Sequence, residues 1–235
     1  MSFTTWTPHA VSSEATIWQG PVWRMVESQH IAATMKLVDT LDEQNVLESL
    51  LEASKPRRQS STAGLDYLLA SPFRYYPQRS GSRFRALTDP GVFYGAHSER
   101  TAAAELGYWR WRFLNDAVDL KQLEPVAHTA FNVDIAARAI DLRQPPFDAD
   151  RALWQHPTDY SATQSFARLV RETDVAAIVY QSVRDPENGS CLALLTPAGF
   201  AQPKPRSQQA WYLAVSQHGA IWRDYQSRVF SFTFM

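Results

Sequence analysis

Apolar and polar positions alternate along this chain at two periods, and together they divide it into short strands and a few longer helices. Alternation and compact apolar runs predict strands over residues 21–26 (PVWRMV), 92–94, about 126–133 and 175–180 (VAAIVY). The last is apolar on both faces, as a central strand must be. Helical spacing of Ile31, Leu37, Val38, Leu41, Val46, Leu47, Leu50 and Leu51 predicts a helix from residue 28 to about 53, ended by Lys55-Pro56. A second short helix is expected over residues 63–70, stopping at Ser71-Pro72, because the residue before a proline is driven out of helical geometry. An extended, Arg- and Tyr-rich stretch then runs through residues 77–85. Further helices are predicted from Thr101 to about Asp116, with Ser98 as N-cap, and over residues 160–171. Toward the C-terminus, residues 211–216 and 220–225 flank Gln217-His218-Gly219 as a hairpin, and Phe230, Phe232 and Phe234 alternate with polar residues in a last strand. No internal repeat interrupts the pattern. The expectation is an α+β fold, a mixed β-sheet core with flanking helices, in a single domain over residues 1–235: a helical extension at about 28–70 and a core at about 71–235.

With 235 residues, 45% of them hydrophobic, the chain can bury a sizeable core. The single cysteine, Cys191, cannot form an internal disulfide, and the first ten residues (MSFTTWTPHA) lack the basic start and apolar run of a secretory signal. No apolar run reaches the roughly 18–20 residues of a membrane span. The reading is a soluble, cytoplasmic protein with no membrane partner. A formal net charge of −1 argues against direct nucleic-acid binding, which needs an excess of Lys and Arg.

That average hides a segregation. Lys55, Arg57, Arg58, Arg74, Arg79, Arg83 and Arg85 face only Asp66 between residues 55 and 85, while Asp39, Asp42, Glu43, Glu48 and Glu52 lie just upstream. Either the two segments neutralise each other on the surface, or some of these arginines hold an anionic ligand such as a pyrophosphate, which a planar guanidinium suits.

Several chemistries are not supported. There is no G-x-S-x-G elbow, no phosphate-cradling P-loop and no G-x-G-x-x-G. His9, His30, His97, His128, His156 and His218 are isolated, so no metal is expected, and Cys191 sits in an apolar run as an inert buried thiol. In the helix beginning at Thr101, Ala102, Leu106, Trp109 and Phe113 form one stripe expected to face the core. Glu105 lies on its shoulder, about 60° from the middle, and should be half-buried. It is either a partner of Arg110 or Arg112, or a functional carboxylate.

Arg83, Tyr94 and Glu105 follow one another at intervals of eleven residues. The stretch SGSRFRALTDPGVFYGAHSERTAAAELGYWR that holds them resembles the core of the RES-domain family, whose pattern is G-x-R-[FW], an apolar strand ending in Tyr, and a helix with A-x-x-E. The later stretch DVAAIVYQSVRDPENGSCLAL is similar to the family's second block, a buried strand leading to Y-x-S. Val22-Trp23-Arg24 extends the likeness upstream, and LLEASKP with ASPFRYYPQRSGSRF resembles the subgroup with a longer helical N-terminal part. The family's common G-G-R-W-N is altered here, with Ser82, Phe84 and Arg85 at its second, fourth and fifth positions.

The resemblance implies an ADP-ribosyltransferase-like fold and the role of toxin in a bacterial toxin-antitoxin pair, with NAD⁺ as substrate and its nicotinamide–ribose bond as the bond broken. ADP-ribose would pass to water or phosphate or, in the longer subgroup, to a protein, phosphoribosyl pyrophosphate synthetase being the implied target. The implied partner is a helical DNA-binding antitoxin of the Xre type that blocks the pocket. On this reading Glu105 stabilises the oxocarbenium-like state. Tyr94 packs on nicotinamide or ribose. Arg83 holds the pyrophosphate with Arg24 as second candidate, and Ser182, past the end of the VAAIVY strand, bonds the nicotinamide amide or a phosphate. His97, Arg74, Tyr75 and Tyr76 would line the pocket or else serve packing and surface pairing. Two competing readings are a nucleic-acid-binding or RNA-cleaving toxin that uses the basic 55–85 segment with Phe73, Tyr75, Tyr76 and Phe84, and an inactive module that titrates its antitoxin. Eight tryptophans and the aromatic C-terminal strand are compatible with a homodimer.

Overall fold

The computed structural model describes residues 6–28, 37–57, 59–75, 81–117 and 119–234. Eight strands form one sheet in the order β1-β2-β5-β4-β3-β6-β7-β8: β1 Thr16–Glu27, β2 Phe93–Ala96, β3 Gln122–Asp141, β4 Ala177–Gln181, β5 Ser190–Leu194, β6 Ser207–Ser216, β7 Gly219–Asp224 and β8 Val229–Thr233. The sheet is mixed, since β3 and β4 are parallel while the other pairings are antiparallel. β1 pairs with β2 at Trp23 and with β3 from Thr16↔Ala139 to Glu27↔His128, so β1, β2, β5, β4 and β3 close into a circuit and β6 to β8 extend from the other edge of β3. The helices are α1 Pro8–Ser13, α2 Leu41–Ser54, α3 Tyr67–Arg74, α4 Glu99–Asp116, α5 Arg151–Trp154 and α6 Ser161–Val170. This is the expected α+β arrangement of a mixed sheet with flanking helices. Among the described residues no helix is long and apolar enough to cross a membrane.

Period-two alternation sorts the strand residues between two packed faces. Phe93, Val179, Leu192 and Leu194 join Leu69 and Phe73 of α3 on one side, and Ile178, Tyr180, Cys191 and Ala193 face α4 on the other. The VAAIVY strand is central and buried, as its composition requires.

Several boundaries differ from expectation, each for a local reason. β1 is a 12-residue strand, longer than residues 21–26, because it pairs along its whole length with the 20-residue β3. The first long helix begins at Leu41, where Thr40 accepts the Glu43 N–H as N-cap; residues 29–36 of the predicted helix lie outside the described residues. α3 starts at Tyr67 on the Asp66 cap and runs through Pro72 to Arg74, because a proline in so short a helix removes one backbone bond while Leu69, Ala70 and Phe73 are buried. Of the predicted extended stretch, residues 77–80 are outside the description, and Ser82 to Arg85 form a tight turn instead.

α4 begins on its Ser98 cap but turns a different face inward. Ala103, Ala104, Gly107 and Tyr108 are buried, whereas Trp109 and Phe113 are 44% and 55% exposed. Small residues decide this: a Cβ on Gly107 would lie 3.1 Å from Ala220 Cβ, and Trp222 Nε1 donates to the Ala103 carbonyl at 3.1 Å. Close backbone approach to β7 outweighs the bulk of the two aromatics, which the simple apolar stripe put in the core.

Candidate active site

One helix, four strands and three connecting segments meet around one cleft of about 310 Å³, within the range of small-ligand pockets. α4 gives one wall, β1, β2, β4 and β5 supply residues beneath it, and the 81–85 turn and the segments around 160 and 184 close the rim.

The turn is built for its position. Gly81 has φ +78°, and a Cβ there would lie 2.2 Å from the Arg85 carbonyl oxygen. Ser82 and Arg85 exchange backbone bonds, while the Tyr94 hydroxyl accepts the Phe84 N–H at 2.9 Å and lies 2.8 Å from Ser82 Oγ. Phe84 is fully buried against the edge of Tyr180. Tyr94 therefore lines the cleft with its ring and fastens the Arg83 turn with its hydroxyl; burial pushes that hydroxyl's pKa up. Arg83 is itself buried, with Nη1 donating to the carbonyls of Trp154 (2.7 Å) and His156 (3.1 Å) and its guanidinium 4.7 Å above the Tyr160 ring.

Glu105 is half-buried on α4, as its place on the helical wheel predicts, but it pairs with neither Arg110 nor Arg112. Arg110 pairs with Glu27, and Arg112 lies 3.8 Å from Asp116. Glu105 Oε1 instead accepts the Ser182 hydroxyl at 2.6 Å. Ser182 is fully buried, and its Oγ accepts the N–H groups of Arg184 (3.1 Å) and Asp185 (3.0 Å). Burial raises the Glu105 pKa above its ordinary 4.5, opposed by the Ser182 bond and by the charges of Arg83 and Arg184. Beneath it, burial holds the Cys191 thiol well above the usual thiol range, which favours the neutral thiol over the nucleophilic thiolate.

Arg24 completes the floor. It donates to the Tyr94 carbonyl at 2.8 Å and lies over the Phe93 ring, yet its Nε is buried with no partner. Burial lowers its pKa to about 10, so it is a cation at neutral pH. Arg184 is a residue the sequence reading passed over, although it follows Ser182 by two positions. Its guanidinium stacks 3.6 Å from the Tyr108 centroid and donates to the Pro157 carbonyl and, at 3.3 Å, to the Tyr160 hydroxyl. The buried Asp185 fastens this loop to the start of α4 through Thr101 (2.8 Å) and Arg100. Among the described residues, Arg24, Arg83 and Arg184 form no ion pair, and Glu105 is the one carboxylate lining their cleft. Three guanidinium groups without ion pairs beside one carboxylate can hold an anionic ligand and set a negative charge next to it.

Other predicted residues lie elsewhere. His97 packs on Trp18 at a ring separation of 5.2 Å; strand alternation turns Phe93 and His97 away from the cleft that Tyr94 and Ala96 face, and Gly95 lines it without a side chain. Arg74 bonds the Pro56 carbonyl and Glu52, and Tyr75 accepts from Arg85 through its carbonyl; neither lines the cleft. Tyr76, Arg58 and Arg79 lie outside the described residues. Phe73 and Phe84 are buried in the core, which removes them as base-stacking surfaces for a nucleic acid. Among the described residues no group of three His, Cys, Asp or Glu is placed to hold a metal.

Comparison with known proteins bears on the family and the fold. The RES domain profile matches residues 56–216. Among solved structures, the chain is similar in fold to one in the crystal structure of the M. tuberculosis MbcT–MbcA toxin-antitoxin complex, at TM-score 0.51 and 12% identity, covering 86% of this chain and 89% of that one. A sequence search of curated proteins finds no match.

Proposed function

The chain belongs to the RES-domain family, and from that premise we propose that it is the toxin of a cytoplasmic toxin-antitoxin pair, breaking the nicotinamide–ribose bond of NAD⁺ and passing on the ADP-ribose. The observation that carries this reading is the Glu105 carboxylate, held by Ser182, in a cleft with three arginines free of ion pairs. Arg24 and Arg83 supply the charge for a pyrophosphate, with Arg184 at the rim. Tyr94 presents a flat ring beside Glu105.

Breaking the bond sends its electron pair to the pyridinium nitrogen, so nicotinamide leaves neutral and positive charge develops at the ribose. Glu105, ionised and oriented by Ser182, stabilises that charge, and its raised pKa suits it to take the proton that the incoming nucleophile gives up. The family resemblance supports a helical Xre-type antitoxin as the partner that blocks this cleft and phosphoribosyl pyrophosphate synthetase as the modified protein; the similar MbcT–MbcA structure is also a toxin-antitoxin complex.

The test is nicotinamide release from NAD⁺ by the Glu105→Gln variant, with its fold checked by circular dichroism. Loss of a carboxylate that stabilises developing charge should cut the rate by about 10²-fold or more. Release at the wild-type rate from the folded variant removes Glu105 from the chemistry.

A further inference from the structure

A second cavity, of about 490 Å³, adjoins the first and shares Trp109 and Tyr160 with it as a common wall. Resting on the reading of the first cleft above, we infer that this second cavity docks the ADP-ribose acceptor, and that the acceptor is a nucleophilic side chain on a basic polypeptide segment rather than inorganic phosphate.

The helix that carries Glu105 connects the two. Glu105, Trp109, Arg112 and Asp116 follow at i, i+4, i+7 and i+11, one face of α4, with Glu105 in the first cavity, Trp109 in both, and Arg112 and Asp116 in the second. Glu105 and Arg112 are therefore about 10 Å apart along the helix axis, within reach of a long side chain bound in one cavity and reacting in the other. Trp109 stays largely exposed because α4 turns its small residues to the core, which leaves an indole at the boundary for a polypeptide to pack on.

Charge separates the two cavities. The first holds Arg24, Arg83 and Arg184 against Glu105, whereas the second holds Arg112 against Asp116 and Asp159. Asp159 accepts the Ser161 N–H at 2.9 Å, which favours its ionised form. A phosphate dianion finds in the second cavity one cation already 3.8 Å from a carboxylate and a further carboxylate opposite. A polypeptide segment rich in Arg or Lys finds a net negative, aromatic-walled groove. In the transfer step the acceptor's lone pair forms the new bond to the ribose carbon as the carbon–nicotinamide bond breaks. Nicotinamide leaves with the bonding pair, and the acceptor's proton goes to Glu105.

Labelled NAD⁺ is incubated with the full chain alone, with inorganic phosphate, and with protamine as the basic polypeptide, scoring free nicotinamide and label on polypeptide. Protamine should take up label. Asp116→Lys and Asp159→Lys should each reduce that uptake about fivefold and Arg112→Glu should raise it, while nicotinamide release without polypeptide stays within about twofold. Opposite signs from opposite charges distinguish docking from loss of fold, and Asp116, exposed near the end of α4, is the substitution the fold tolerates best. Uptake insensitive to all three changes overturns the inference, as does release stimulated by phosphate with no label on protamine. Absence of nicotinamide release in every arm overturns the reading of the first cleft itself.

Discussion

Two sets of cations in this chain have different surroundings. Among the described residues between 55 and 85, Lys55 and Arg74 share Glu52, and Arg85 donates to the carbonyls of Tyr75 and Asp89, so near neighbours satisfy them. Arg24, Arg83 and Arg184 are scattered over 160 residues, and the fold gathers them into one cleft with no ion pair among the described residues. Only Arg83 belongs to both sets. Charge density along a sequence thus locates the segments that fasten themselves together, whereas a site for an anion is made by topology, where cations arrive from distant strands and loops without their counter-charges.

The contrast is sharpest in binding. Arg24→Ala and Arg83→Ala should each weaken NAD⁺ binding by roughly 10- to 100-fold, the loss of one charge-assisted contact of about 1.5–3 kcal/mol. Titration calorimetry on the Glu105→Gln background measures this without turnover. Equal losses from Arg74→Ala would break the distinction between the populations.

Much of this could be read from the chain before its fold was known, and the failures share one cause. Tyr94, Glu105 and Arg83 carry short local patterns, and the buried VAAIVY strand leads directly to Ser182; all five features meet where the structure brings β2, α4 and β4 together. Arg184 and Tyr160 carry no such local pattern, because their importance comes from a contact between the loop after β4 and the segment before α6. His97 and Arg74 are close to Tyr94 and Arg83 in sequence but not in the cleft. Alternation along β2 turns His97 away, and a carboxylate in α2 takes Arg74. Hydrophobic size alone points Trp109 and Phe113 of α4 inward, whereas the close approach of Gly107 to Ala220 turns the small residues there instead.

A cleft charge also depends on its uncharged neighbours, which sets a smaller effect. The Ser182 bond lowers the Glu105 pKa against the upward push of burial. If the ionised carboxylate is the active form, nicotinamide release rises with pH through a value above 4.5, and Ser182→Ala moves that acid limb to higher pH. Well above the limb the variant should recover most of its rate, and Ser182→Thr should restore the limb. A uniform loss at all pH values would make Ser182 a structural residue only.

The smallest effect on the cleft is expected from Arg74→Ala, although its side chain is only 7% exposed. Its Nε donates to the Pro56 carbonyl at 2.6 Å and its Nη1 to Glu52 at 2.8 Å, so it ties the end of α2 and the turn after it to α3. Lys55 still holds Glu52 when Arg74 is gone, but the Pro56 carbonyl loses this donor. Faster amide exchange should therefore appear in α2, whose Leu41, Val46 and Leu50 are already more than half exposed, with no change in β2, α4 or the 81–85 turn. NAD⁺ affinity should stay within about twofold, since Arg74 does not line the cleft and, among the described residues, bonds Pro56 and Glu52, which do not line it either. A change in exchange that spreads into α4 would mean that the two arginine populations are mechanically coupled, and that the basic segment braces the cleft as well as itself.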